Sequence, residues 1–126
     1  MRAVDTNVLV RLLTRDNSEQ VAAAEAFAGK GAWVSQLILA EATWVLASVY
    51  ELDSAGIATA VEMLLGHRNL VLEEPEVVAK ALQHFRRWPA LGFSDCLILE
   101  AAREAGHLPL GTFDRALGRL PEAERI

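Results

Sequence analysis

The stretch Arg-Ala-Val-Asp-Thr-Asn-Val-Leu-Val, residues 2–10, joins a short apolar run directly to a helical pattern through one acid, Asp5. Residues 2–5 predict a strand, and the apolar positions that follow predict a helix from Thr6 to about Thr14. A strand that passes straight into a helix is typical of α/β domains. Residues 2–10 therefore predict the fold class, and the same alternation is expected to continue along the chain.

The alternation of predicted strands and helices continues to the carboxyl end of the chain. Strands are predicted at residues 32–35, 70–72 and 108–111, and a last strand near Arg125-Ile126 is considered below. Helix boundaries are predicted from capping and breaking residues: Asn17 to Gly29, a helix that carries Glu41 and follows directly after the strand at 32–35, Asp53 or Ser54 to near Gly66, Pro75 to before Pro89, Ser94 to near Gly106, and a short helix after Asp114. Short, wholly apolar strands separated by helices indicate a parallel sheet with both faces covered.

Length and composition limit the class of protein further. The chain has 126 residues, of which 52% are hydrophobic, and no repeat or linker, so we expect a single domain over residues 1–126 and exclude disorder. One cysteine, Cys96, excludes an internal disulfide framework. No signal-peptide pattern opens the chain, so we expect a cytoplasmic protein. The formal net charge of -5 has the wrong sign for simple electrostatic capture of nucleic acid.

One segment has the length of a membrane span. Residues 33–50 contain a single charged residue, Glu41, but it lies in the middle of the segment, where an acid is costly in lipid. We therefore expect a buried strand followed by a buried helix, and no membrane partner. The tryptophans Trp33, Trp44 and Trp88 are expected in the core.

Four acids lie in apolar sequence, where an ionised carboxylate costs several kcal/mol unless it is paired or hydrogen-bonded. They are Asp5, Glu41, Asp95 and Asp114. Three of them fall near the carboxyl ends of predicted strands, the edge at which open α/β folds bind ligands. Asp95 opens a helix that returns from the same edge. The four carboxylates are therefore expected to converge on one pocket.

Each acid also has a simpler explanation. Asp5, Asp95 and Asp114 lie at helix starts, where acids cap backbone N–H groups, and Glu41 could pair with an arginine. A shared metal ion explains all four at once. Oxygen ligands select Mg²⁺ or Mn²⁺, whereas the three histidines match no zinc spacing, and His84 and His107 are expected at the surface or at helix ends.

The same residues resemble a known family. Asp-Thr-Asn-Val-Leu-Val-Arg at residues 5–11 is similar to the opening motif of PIN-domain proteins, especially VapC-type toxins of bacterial toxin–antitoxin pairs. Val34-Ser35 followed by Glu41, Phe93-Ser94-Asp95, and Thr112-Phe113-Asp114 continue the resemblance over essentially the whole chain. It implies a three-layer sandwich around a mostly parallel five-stranded sheet, with its last strand near Arg125-Ile126.

The resemblance also implies a function. It makes Asp5, Glu41, Asp95 and Asp114 the catalytic and metal-binding acids of a Mg²⁺- or Mn²⁺-dependent endoribonuclease. It implies supporting polar roles for Thr6, Asn7, Ser35 and Thr112. The expected partners are an RNA substrate, a cognate VapB-like antitoxin and a second copy of the chain in a homodimer. Arg11, Arg15 and Arg115 are candidates for contacts with RNA phosphates, with simple solvation as the alternative.

Three other functions stay open at this stage. A non-catalytic PIN-like module would bind RNA or protein without cleaving. A phosphatase-type hydrolase would use Asp5 as nucleophile, but that chemistry needs a second acid two residues later, where the chain has Asn7. A response-regulator receiver needs a late lysine, and none follows Lys80.

Overall fold

The computed structural model describes all residues from Met1 to Ile126. Six helices alternate with five short strands. The helices are α1 Thr6–Thr14, α2 Ser18–Ala28, α3 Gln36–Ser48, α4 Ser54–Leu65, α5 Pro75–Arg87 and α6 Phe93–Ala105. The strands are β1 Arg2–Ala3, β2 Ala32–Val34, β3 Leu70–Leu72, β4 Leu110–Thr112 and β5 Ala123–Arg125, and a 3₁₀ helix spans Leu117–Arg119.

All strand pairs are parallel, which confirms the predicted α/β class. β2 lies between β1 and β3, while β4 pairs with β5. The five expected strands are thus hydrogen-bonded in two sets of three and two. Parallel strands need a crossover between them, and the helices provide it here.

Most element boundaries agree with the capping pattern. Asn17, Ser35 and Asp53 cap α2, α3 and α4, each accepting a backbone N–H with its side-chain oxygen. Several boundaries differ from the prediction: β1 and β2 end at Ala3 and Val34, because Asp5 and Ser35 serve as the caps of the helices that follow. Helix α6 begins at Phe93 rather than Ser94, with Gly92 as its cap, and β4 begins at Leu110 because Pro109 has no N–H to donate to a neighbouring strand.

The core lies between the strands and the helices that cover them. Its fully buried side chains include Leu9 of α1, Leu39 and Leu46 of α3, and Leu99 of α6. Helices α5 and α6 pack against each other, and Phe85 meets Phe93 edge to face at 5.9 Å between ring centroids. None of the helices combines the length and the apolar character that crossing a bilayer requires.

The expectation that all three tryptophans lie in the core is wrong for two of them. Trp44 is 61% exposed and Trp33 is 37% exposed, while Trp88 is partly buried. The reason lies in helix geometry: α3 buries Leu39, Thr43 and Leu46 on one face, and this turns Trp44 to the other. An almost uniformly apolar helix does not reveal from its sequence which face will be covered.

Candidate functional site

Asp95 lies in the first turn of α6 and is partly buried. It makes no ion pair, and no protein donor hydrogen-bonds to its carboxylate; burial, and after it the charge of Asp114, raises the pKa of Asp95 above its usual value. The effect of Asp114 shows that these two carboxylates, 19 residues apart in sequence, are close in space. The structure therefore brings together two of the four predicted acids.

Asp114 reaches this position through a turn that follows β4. Its backbone N–H donates to Thr112 Oγ1 at 3.0 Å, and its Oδ1 accepts the N–H of Leu117 at 2.8 Å at the start of the 3₁₀ helix. The capping explanation is thus correct for one carboxylate oxygen. Oδ2 has no hydrogen bond within the protein, so the second oxygen is available to a ligand.

Asp5 follows β1 and caps α1. Its Oδ1 accepts the N–H of Val8 at 3.1 Å, and no cation pairs with it. The carboxylate opens onto a cavity of about 400 Å³ between α1 and α2 that Asn7, Arg11 and Phe27 also line. Like Asp114, Asp5 uses one oxygen for the helix and presents the other to solvent.

Glu41 lies on the exposed face of α3 and has neither an ion pair nor a hydrogen bond. The alternative of a structural pairing with arginine is therefore not realised. Leu37 and Trp44, one turn to either side of it, are also exposed. Glu41 thus belongs to an unpartnered helix face.

The four acids do not form a compact metal cage in this structure. No three side chains among the histidines, cysteines, aspartates and glutamates are arranged closely enough to hold a metal ion. Asp5 and Asp114 each turn one oxygen toward a helix N-terminus, and Glu41 extends into solvent. Asp95 and Asp114 are the two predicted acids of which one acts electrostatically on the other.

The four polar residues predicted to support the acids differ in whether their side chains are hydrogen-bonded. Ser35 Oγ accepts the N–H of Ile38 at 3.1 Å, and Thr112 Oγ1 accepts that of Asp114, so both order the backbone beside an acid. Asn7 is exposed. Thr6 differs, because its Oγ1 is buried at the start of α1 without any hydrogen-bond partner. Buried polar atoms are seldom left unpaired, so Thr6 Oγ1 is suited to meet a ligand or a water.

The sequence interpretation missed two residues at the edge that follows β2 and β3. Gln36 Nε2 is buried without a partner, and Glu73 accepts the backbone N–H of Gln36 at 2.8 Å. In sequence, Glu73 lies in the polar stretch Glu-Glu-Pro-Glu, residues 73–76. Gln36 could have been noticed as a polar residue between a strand and an apolar helix. Glu73 showed no such signal, because the N–H that it accepts belongs to a residue 37 positions away in sequence.

Glu100 is a further acid that the sequence interpretation missed. It is only 2% exposed, yet His84 Nε2 lies 2.7 Å and Arg103 Nε 3.1 Å from its Oε1. Arg103 continues to Glu122 at 2.7 Å, and this joins α6 to the segment before β5. The signal was present in Leu-Ile-Leu-Glu-Ala-Ala, residues 97–102, which is as apolar as the four stretches that were singled out.

Two of the three arginines proposed for phosphate contacts are engaged within the protein. Arg11 donates to Tyr50 Oη at 2.8 Å and to Asp16 at 3.1 Å, and Arg15 pairs with Glu25 at 2.6 Å. Arg11 lines the cavity onto which Asp5 opens, whereas Arg15 lies at the far end of α1. Arg115, next to Asp114, is exposed and makes no ion pair.

A family comparison agrees with this arrangement of strands and helices. The model of the PIN domain matches residues 2–123. The chain belongs to the PIN domain family. PIN domains are generally nucleases that need a divalent metal ion, and membership implies binding of nucleic acid. A search of curated proteins finds no match to this chain.

The residues present fit a hard divalent cation by their chemistry. Asp95 and Asp114 offer only oxygen ligands, and a cation would offset the burial and the repulsion that raise the pKa of Asp95. The unpaired Thr6 Oγ1 supplies a buried oxygen near the end of β1. This PIN domain thus offers oxygen atoms of the kind that bind a divalent cation, and two of its acids, Asp95 and Asp114, interact electrostatically.

Proposed function

We propose that the chain is an endoribonuclease that depends on Mg²⁺ or Mn²⁺ and hydrolyses RNA phosphodiester bonds with a metal-activated water. The observation that carries this proposal is the partly buried carboxylate of Asp95, which has another acid rather than a cation as its neighbour. Such an arrangement costs stability, so it is expected at a site that binds a cation or performs chemistry.

Asp95 and Asp114 would hold the ion, and Asp5 would join them with the oxygen that does not cap α1. When bound, the ion supplies a water of lowered pKa and stabilises charge on the leaving oxygen. Glu41 would serve as a further ligand or accept the proton of the attacking water at its carboxylate. Its lack of any pairing cation supports this role.

Polar neighbours would orient these groups. Ser35 and Thr112 fix the backbone next to β2 and Asp114, and Thr6 Oγ1 would bind a phosphate oxygen or a water. Asn7, exposed two residues after Asp5, would contact the substrate. Gln36 Nε2, a buried donor without an acceptor, would add a hydrogen bond to the phosphate.

The biological role we propose is that of a VapC-type toxin. What supports it is the order of the four motifs from Asp5 to Asp114, together with the family match. A VapB-like antitoxin would then hold the protein inactive, the acidic site offering a place for a basic side chain. The protein would act in the cytoplasm and as a homodimer.

A non-catalytic PIN-like module is the second candidate function. It is favoured by the absence of any three acids preformed to hold a metal ion. Calorimetric titration with Mg²⁺ separates the two candidates, because a module of this kind would show no binding. A phosphatase that uses Asp5 is less well supported, since Asn7 stands where the second acid is needed.

Cleavage of labelled RNA tests the proposal directly. We expect the protein to cleave single-stranded RNA in Mg²⁺ and to lose this activity in EDTA. Asp95→Asn should lower the rate more than about a hundredfold, because metal catalysis is worth several kcal/mol. Glu104→Gln, an exposed acid at the other end of α6, is the matched control and should retain activity. Full activity in EDTA would refute the mechanism.

A further inference from the structure

A cavity of about 220 Å³ lies between α3, the start of α4 and the loop that leads into α6. Its walls are mostly apolar and carry no charged side chain. Ser54 and Ser94 contribute hydroxyl groups that make no hydrogen bond within the protein. The cavity therefore suits an uncharged ligand that is flat or apolar over most of its surface and polar at its edge.

Phe85 and Phe93 line the cavity from the core, and its exposed aromatic wall is Trp44, which is 61% exposed. An exposed indole without an aromatic partner in the protein has a free face on which another ring can stack. The sequence places Trp44 three residues after Glu41, so both residues lie on the same side of α3. The cavity is therefore next to one of the four acids through its aromatic wall.

The opposite wall connects the cavity to Asp95. Gly92, Phe93 and Ser94 line it, and Asp95 is the next residue in α6. A Cβ atom built on Gly92 would be 3.8 Å from Ser94 Oγ and 3.9 Å from Asp95 Oδ2, so the carboxylate lies next to this wall of the cavity. The charge of Asp114 acts on Asp95, and the residue before Asp114, Phe113, is an aromatic side chain that is 80% exposed.

From this continuity we propose that the cavity is a subsite for one unpaired nucleobase of single-stranded RNA, held beside the phosphate that the acids address. The proposal rests on the ribonuclease function proposed above. A nucleobase is uncharged, has two flat faces for Trp44, and has polar edges for the hydroxyls of Ser54 and Ser94. A phosphate group does not suit the cavity, since no cation lines it and Asp95 adjoins it.

This assignment narrows the substrate class. A base in a duplex is stacked and paired and cannot enter a cavity of this kind, whereas unpaired bases can be splayed onto aromatic side chains. Stacking tolerates different bases, so the subsite favours single strands more strongly than any one sequence. The acidic net charge of the chain then matters less, because part of the binding comes from an uncharged contact.

The experiment uses the full chain with Asp95→Asn, which prevents cleavage, and a short fluorescein-labelled single-stranded RNA in Mg²⁺. Adding Trp44→Ala should weaken binding about five- to a hundredfold, the range expected for loss of one base–aromatic stack. Trp44→Phe should restore most of the affinity while abolishing the quenching of tryptophan fluorescence by RNA. Met63→Ala is the control, as this side chain is exposed on α4 outside the cavity.

A second measurement locates the base. A set of RNAs is made in which a different single position is abasic in each. At one of these positions, the abasic RNA and the intact RNA should bind the Trp44→Ala protein equally well, because the contact of that base with Trp44 is already lost. Equal affinities of the proteins with and without Trp44→Ala would overturn the subsite, and so would equal binding of a duplex. If the protein with neither substitution cleaves RNA in Mg²⁺, the proposed function survives either of these results; if it does not, that function fails by itself.

Discussion

Two of the acids on helix α6, Asp95 and Glu100, differ in their surroundings. Glu100 is almost fully buried but touches His84 and Arg103, and through Arg103 it connects to Glu122. Asp95, five residues earlier, is less buried, yet its charged neighbour is Asp114. Burial alone therefore does not identify a functional acid. The sign of the neighbouring charge separates an acid that holds the fold from one that is available for a ligand.

The largest effect on stability is expected from Glu100→Ala. This change removes the acid that joins α5 to α6; it leaves His84 without its partner and Arg103 with Glu122 alone, so the free energy of unfolding should fall by about 3 kcal/mol. Urea denaturation measures it. Glu62→Ala is the control, because its pair with Arg86 at 2.7 Å is exposed on both sides and is worth less than about 1 kcal/mol. Equal losses would contradict the comparison.

A smaller effect of opposite sign is expected when Mg²⁺ is added. If Asp95 and Asp114 hold the ion, saturation at about a hundred times Kd should stabilise the protein by about 2.7 kcal/mol. Thermal unfolding with and without Mg²⁺ measures this gain. Asp95→Asn and Asp114→Asn should abolish it, whereas Glu100→Gln should keep it. A gain that survives both aspartate substitutions would place the ion elsewhere.

The smallest effect concerns the pH dependence of Asp95 in EDTA. Because its pKa is raised in the folded protein, its contribution to stability is full below the ordinary value of 3.8 and is lost as pH rises through the raised pKa. At neutral pH, Asp95→Asn should therefore be more stable than the original protein, by less than about 1 kcal/mol, since the side chain is partly exposed.

This difference should disappear as pH falls below the usual aspartate range. Denaturation at neutral pH and near pH 3 measures it, with the exposed Glu104→Gln as a reference for ordinary acids. A stabilisation of the same size at both pH values would mean that shape rather than charge distinguishes Asp95 from asparagine.

The surroundings of Cys96 also decide whether its side chain is available for chemistry. It is buried next to Asp95, and burial, with the charges of Asp95 and Glu100, raises the pKa of its thiol to about 11. The thiol is therefore neutral at physiological pH and unreactive as a nucleophile. The single cysteine of the chain belongs to the core and not to the chemistry of the site.

Much of the fold could be predicted because its signals are local. The apolar strand before Asp5, the caps Asn17, Ser35 and Asp53, and the breaker Gly106 act within a few residues of their own positions. The site could be predicted only in part. The four acids were conspicuous because each interrupts an apolar run, but Glu100 does so as well, and its neighbours His84 and Glu122 are distant in sequence.

By itself, the sequence determined the alternation of strands and helices, the class of the fold and the short set of acids worth testing, because periodicity, capping and composition act over one or two helical turns. The tertiary structure decided the rest: that Glu100 meets cations while Asp95 meets Asp114, that Trp44 faces outward beside a cavity, and that Arg11 is engaged by Tyr50. These outcomes depend on which helix faces pack together. Packing of that kind joins residues far apart along the chain, so no local pattern specifies it.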